Sequence, residues 1–271
     1  MEEKLKTLKE RMEELRSKYD IVLPKKRYVM AMIDGRSFSS IIKKHFKLPF
    51  DDYFVELMNE TAKYVCEHVG GCKFAYVQSD EITFVLTDFD DETTEPFFGN
   101  RLCKLQSIIP SMATAIFNRM LFENVITSPT SSPIETFELL ANTPMPMFDC
   151  KVWDVDNYND VIAYIIWRQN DCIRNSKQQT TQTYLPKKSL LNKNTDEQIK
   201  ILLDEKGIDW NQFNDGLKYG RFIYKTKIYK WIESLHKEIE RYAWKIEDAF
   251  IITENKEKFN DMNILPILKN D

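Results

Sequence analysis

The chain has 271 residues, 43% of them apolar and 30% charged, with 38 Lys and Arg against 42 Asp and Glu for a formal net charge of −4. That length can bury one substantial core or two modest ones, and the acidic balance excludes a uniformly basic nucleic-acid binder while permitting local basic patches. Five cysteines without a Cys-x-x-Cys pair, and three histidines without metal-ligand spacing, argue against a disulfide framework, zinc chemistry and a histidine-based triad. Met1-Glu2-Glu3-Lys4 gives no signal core, and no run approaches the ~20 apolar residues of a membrane span. A cytoplasmic protein is expected, with an organelle left open.

Leu5, Leu8, Met12 and Leu15 recur at helical spacing and predict an amphipathic helix over about the first eighteen residues. After Pro24 the apolar run Tyr28-Val29-Met30-Ala31-Met32-Ile33 reads as a buried strand, followed by a polar connection through Pro49. The stripe Phe50, Phe54, Leu57, Met58, Thr61, Ala62, Val65 and Val69 predicts a helix packed on a sheet, stopped by Gly70-Gly71. Strands at about 73–78 and 82–87 flank Ser79-Asp80-Glu81 as a hairpin, and a second helix follows at about 96–119. Residues 127–133 are loop by composition, 147–155 a further strand, 157–179 a helix, and Gln178 to Asn194 a polar loop over the active face. Ile228, Trp231, Ile232, Leu235, Ile239 and Tyr242 predict a long amphipathic helix over 226–250, and the last twenty residues carry little signal.

The order strand, helix, hairpin, helix, strand predicts an α+β fold, a ferredoxin-like palm with an antiparallel sheet and helical additions. Residues 1–155 are expected to hold the N-terminal helix and the palm. Residues 156–271 would add helices and loops that complete nucleotide binding, RNA binding and oligomer contacts, the whole forming one compact unit.

Two acidic turns carry the chemistry. Asp34-Gly35-Arg36 ends the first strand and Ser79-Asp80-Glu81 sits at the tip of the hairpin, and the palm layout brings both to one edge of the sheet. Asp34 and Asp80 could then share two Mg²⁺ ions, with the Gly35 carbonyl approaching because no Cβ intervenes and Glu81 as a third ligand. Backbone amides from Gly35 to Ser39 lie where they can cradle phosphate oxygens, and Ser79 adds a hydroxyl. Two basic stretches, Lys25 to Lys47 and Arg168 to Lys193, are candidates for phosphate contact.

Met32-Ile33-Asp34-Gly35-Arg36-Ser37-Phe38, Tyr76-Val77-Gln78-Ser79-Asp80-Glu81, Phe148-Asp149 and Trp167-Arg168-Gln169-Asn170-Asp171 together resemble the tRNA-His guanylyltransferase superfamily, over roughly Tyr28 to Lys225. The resemblance implies addition of nucleotides to the 5′ end of tRNA in the 3′→5′ direction, with GTP or ATP as substrates. It makes Asp34, Gly35 and Asp80 the metal ligands, supported by Glu81, and sets Arg36, Ser37 and Phe38 with Ser79 on nucleotide phosphates. Lys104 resembles the family's helix lysine near the activating triphosphate, and a homotetramer is implied. Lys104, Arg168, Arg174, Asn175 and Lys206 are the candidates for a second triphosphate pocket and the RNA end. Trp167 is assigned to the core.

The departures matter as well. Ile173-Arg174-Asn175-Ser176-Lys177-Gln178-Gln179 replaces the His-Ile-Asn-Asn-Leu-Tyr-Asn run, Ser39 stands in place of a His, and Leu48 precedes Pro49 in place of a Lys. Arg174-Asn175-Ser176 and Glu205-Lys206-Gly207-Ile208-Asp209-Trp210-Asn211 are similar to the Thg1-like branch, which favours template-dependent repair of 5′-truncated tRNA over strict addition of G to tRNA-His. Two readings outside this one stay open: a palm-domain nucleotidyl cyclase, and a catalytically inactive RNA-binding protein.

Overall fold

The computed structural model describes residues 6–127 and 145–267. Its centre is a six-stranded sheet in the order β4-β1-β3-β2-β5-β6, every neighbouring pair antiparallel. The strands are β1 (Tyr28–Arg36), β2 (Cys72–Gln78), β3 (Glu81–Leu86), β4 (Met147–Val155), β5 (Arg221–Ile232) and β6 (Lys237–Asp248). The first four strands of that order form the expected ferredoxin-like palm.

β1 reads as unbroken apolar sequence because both its faces are covered. On one face Val29, Ala31 and Ile33 pack with Val77, Ile82 and Phe84 against α3 (Asp52–His68) and α4 (Leu102–Thr127). On the other, Tyr28 and Met30 join Phe74, Tyr76 and Val85 against Val161 and Ile165 of α5 (Tyr158–Tyr184) and against Phe259 and Ile264 near the C-terminus. A short helix, Lys256–Asp261, lies in that last segment. Asp51 accepts from the Phe54 amide to cap α3, and Asn157 accepts from the Asp160 amide to cap α5.

Three expectations change. Residues 226–250 are not a helix but most of the β5–β6 hairpin, paired from Arg221↔Asp248 to Ile232↔Lys237. The apolar residues there fit a period of 3.6, but Ile223, Tyr224, Thr226, Ile228, Tyr229, Trp231 and Ile232 are β-branched or aromatic, types that lose χ1 freedom in a helix and pack well on a pleated surface. β2 pairs only with residues 221–224 of β5, so the outer part of the hairpin stands clear as a two-stranded arm. The polar loop expected at Gln178–Asn194 begins as helix: α5 runs to Tyr184, with Thr180 and Thr181 buried and the Thr180 hydroxyl donating to the Ser176 carbonyl at 2.8 Å. A four-residue helix, α6 (Lys187–Leu190), and α7 (Thr195–Lys206) follow. The connection after β1 contains α2 (Phe38–His45). The N-terminal helix, α1, is Leu8–Ser17, closed by a Thr7–Glu10 capping box, and the loop expected at 127–133 lies, beyond Thr127, outside the described residues.

Candidate active site

Register sets the site. Asp34 of β1 pairs directly with Glu81 of β3 and with Asp149 of β4, and directly opposed residues of antiparallel strands project to the same face. Three carboxylates therefore form a row across the sheet. The β2–β3 turn brings Asp80 alongside: its carbonyl accepts from the Gly35 amide at 3.0 Å, and Ser79 takes the left-handed conformation, φ 44°, that so tight a turn requires.

The row is electrostatically strained. Partial burial, reinforced by Asp80, Glu81 and Asp149 and opposed by Lys151, pushes the Asp34 carboxyl up from 3.8 to about 6. Burial also raises Asp80. Glu81 is charge-paired: Arg168 of α5 donates Nε to Oε1 at 2.7 Å and a terminal nitrogen to Oε2 at 2.6 Å, and Gln78 donates to Oε1 at 3.1 Å. Asp171 also takes a contact from Arg168, at 3.1 Å, and pairs with Arg174.

Oxygen donors alone, with uncompensated negative charge at Asp34 and Asp80, suit a hard divalent cation. Among the described residues no group of three or more His, Cys, Asp or Glu side chains is placed to hold a metal ion, so a cation here would rest on Asp34 and Asp80 with backbone oxygen.

Gly35 is glycine for a packing reason. A Cβ there would lie 2.4 Å from Cγ of Phe38, whose ring sits beneath the strand among Phe54, Phe117 and Phe148. Phe38 is thus a core side chain, 1% exposed, and offers the site only its backbone. Ser37, φ 60°, precedes α2, and no side chain caps that helix N-terminus; the Ser40 amide donates to the Ser37 carbonyl at 3.1 Å, which leaves the Phe38 and Ser39 amides for an anion. Arg36 and Ser39 are exposed.

Two clefts flank the carboxylates, both walled by α5. One, of about 450 Å³, is lined by Ser39, Lys43, Ser79, Asp80, Asn175 and Lys187, among other residues. The second, of about 470 Å³, has Met32 as an apolar wall and is lined by Asp34, Glu81, Lys151 and Arg168 with the rings of Trp153, Tyr164 and Trp167.

Of the residues proposed from sequence, Asp34, Gly35, Asp80, Glu81, Ser79, Ser39, Asn175 and Arg168 come together around this edge. Arg168 does so as the partner of Glu81 rather than as a free cation. Arg174 is exposed on α5 and paired with Asp171. Lys104 is not brought in: it lies in the first turn of α4, whose start bonds to Ile21 and bridges Val22, upstream of β1 and so at the strand end opposite Asp34. Lys206 is exposed in the last turn of α7, and no contact ties it to the carboxylates.

Asp149 and Lys151 were not among the candidate site residues, and Lys43 and Lys187 were candidates only as members of the two basic stretches. Asp149 had a signal, being an acidic residue in a strand beside Asp34. Trp167 is 58% exposed rather than in the core.

Residues 9–156 match the family model described as tRNAHis guanylyltransferase (Thg1). The chain belongs to that family of nucleotidyltransferases. It is 26% identical over 266 residues, 93% of its length, to tRNA(His) guanylyltransferase 1 of Arabidopsis thaliana, and it spans 43% of that longer relative. Among solved structures, it is similar to a bacterial tRNA(His) guanylyltransferase (Thg1)-like protein in complex with ATP, at 30% identity and TM-score 0.78, covering 96% of this chain and 99% of the other. A bacterial Thg1-like protein in complex with GTP matches at 28% identity and TM-score 0.73, covering 96% and 100%.

Proposed function

We propose that this chain adds nucleotides to the 5′ end of tRNA in the 3′→5′ direction, Mg²⁺-dependently, repairing 5′-truncated tRNA. The observation that carries the reading is the single edge at which Asp34 and Asp80 meet between two clefts, one cationic and polar, the other aromatic. ATP and GTP bound in the bacterial neighbours support nucleoside triphosphates as this chain's substrates.

Asp34 and Asp80, with the Gly35 carbonyl, would hold two Mg²⁺ ions. Such ions, when bound, activate an attacking hydroxyl and neutralise the departing pyrophosphate. The chain's own groups do the positioning. Open amides at the start of α2, Ser79, Lys43 and Lys187 fit a triphosphate in the 450 Å³ cleft. Arg168 fixes Glu81 and so leaves Asp34 and Asp80, with Asp149 beside them, as the free carboxylates. Asn175, within the Arg174-Asn175-Ser176 run that replaces the family's histidine-containing segment, lines the same cleft, which favours repair over strict addition of G to tRNA-His. Self-association as a tetramer belongs to the same reading. It is supported by the projecting β5–β6 arm, on which Tyr229 and Trp231 are exposed, and by the exposed Leu8, Met12 and Leu15 of α1.

The test is a gel extension assay with ATP, GTP and Mg²⁺ on full-length tRNA-His and on several 5′-shortened tRNAs. Restoration of the shortened ends is expected. Addition confined to one G on tRNA-His would replace repair by strict guanylyl transfer, and no extension of any RNA would overturn both.

A further inference from the structure

We propose that the aromatic cleft is a nucleobase site in which Trp167 stacks on the 5′-terminal base of the RNA. The inference rests on RNA being the substrate, as argued above. It begins from an anomaly of burial: an indole in the middle of a 27-residue helix is 58% exposed, although the same helix buries Val161 and Ile165 completely.

The ring is held in place. The Arg168 guanidinium lies over it at 4.8 Å from the centroid, and that guanidinium is itself fixed by Glu81 and Asp171. Tyr164 meets the indole nearly edge-on at 5.4 Å and packs in turn against Trp153 at 4.8 Å. A rigid, exposed aromatic surface backed by a cation accepts the face of a base with little ordering cost and without reading its sequence.

Charge decides between an RNA end and a free triphosphate. Arg168 is occupied by two carboxylates, so Lys151, which makes no ion pair among the described residues, is the one unpaired cation of the lining. A single ammonium beside Asp34 and Glu81 is poorly matched to the roughly four negative charges of a triphosphate, whereas the opposite cleft carries Lys43 and Lys187. The terminal nucleotide of an RNA brings a base for Trp167 and a 5′ phosphate for the Asp34 edge, where Lys151 offsets its charge. The two substrates of a joining reaction would thus reach the carboxylates from opposite sides.

The experiment measures fluorescence anisotropy of a labelled, 5′-monophosphorylated RNA hairpin with one unpaired 5′ nucleotide, and of the same hairpin abasic at that nucleotide, in Mg²⁺ without triphosphate. The wild-type chain is expected to bind the abasic probe roughly tenfold more weakly, the order that stacking of one base on an aromatic ring provides. Trp167→Ala should bind both probes at the weaker level, Trp167→Phe should retain most of the discrimination, and ATP affinity should be the same in all three. A Trp167→Ala chain that discriminates as the wild type does would overturn the proposal. So would one that loses ATP affinity and keeps RNA affinity, since the stacked base would then belong to the free nucleotide. Base discrimination without nucleotide addition by the wild type would remove the catalytic reading and leave the stacking site; addition without discrimination would remove the stacking site alone.

Discussion

Asp34 sits where its ionised form is disfavoured, and two substitutions separate its cost in stability from its neighbour's contribution to chemistry. With the carboxyl moved from 3.8 to about 6, the folded chain holds this proton more tightly than the unfolded chain does. Its effect on stability is therefore neutral below about pH 4 and grows unfavourable as pH rises to 6. In chelator-containing buffer, Asp34→Asn is expected to raise Tm at pH 7 by a few degrees, about 1 kcal/mol once solvent screening at this half-buried site is allowed for. The gain should vanish toward pH 4, as read by thermal melts across pH. A gain that persists at pH 4 would assign it to something other than charge. Asp80→Ala should cut nucleotide addition by more than about a hundredfold, the upper range for residues that merely orient a metal ligand, with an unchanged circular-dichroism spectrum; a lost spectrum would make Asp80 structural. Both aspartates were legible in the sequence because each follows or splits an apolar run at a strand end. Trp167 was not, since a large apolar residue at helical spacing reads as core, and its exposure depends on where α5 passes the edge of the sheet.

At the scale of elements, the β1–α2 junction and the α5–β3 contact hold the edge together. Gly35→Ala places a methyl group 2.4 Å from the Phe38 ring and should destabilise by about 1–3 kcal/mol in urea unfolding, with activity falling as β1 shifts against the Asp80 turn. Arg168→Ala leaves Glu81 buried without its cation and should cost about 3 kcal/mol. Arg168→Lys keeps the charge but not the two-point geometry and should recover only part of that loss. An Arg168→Lys chain as stable as the wild type would show that the paired geometry is immaterial. Strands β1 to β4 were readable because each is short, apolar and bounded by turn residues. The β5–β6 hairpin was not, because its outer arm has no covered face to impose a two-residue alternation, and its apolar residues fall at helical intervals by chance of spacing.

For the whole molecule, the sheet order places the row of carboxylates between two clefts of similar size and unlike chemistry, with α5 running beside both. The net charge of −4 conceals this, since Lys43 and Lys187, far apart in sequence, meet only once α2 and α6 are placed. The projecting arm is separable from that arrangement. Replacing residues 227–242 by a short turn keeps the β2–β5 pairing through Tyr224, so Tm should change little while the sedimentation mass falls; an unchanged mass would move self-association elsewhere. The convergence of Asp34 and Asp80 on a divalent cation beside a bound triphosphate is tested most directly by pyrophosphate release from GTP and 5′-truncated tRNA as Mg²⁺ is titrated. Release that rises with Mg²⁺ in the wild-type chain and is absent from both Asp34→Ala and Asp80→Ala is the expected result. Release that ignores Mg²⁺, or that survives the loss of either aspartate, would contradict it.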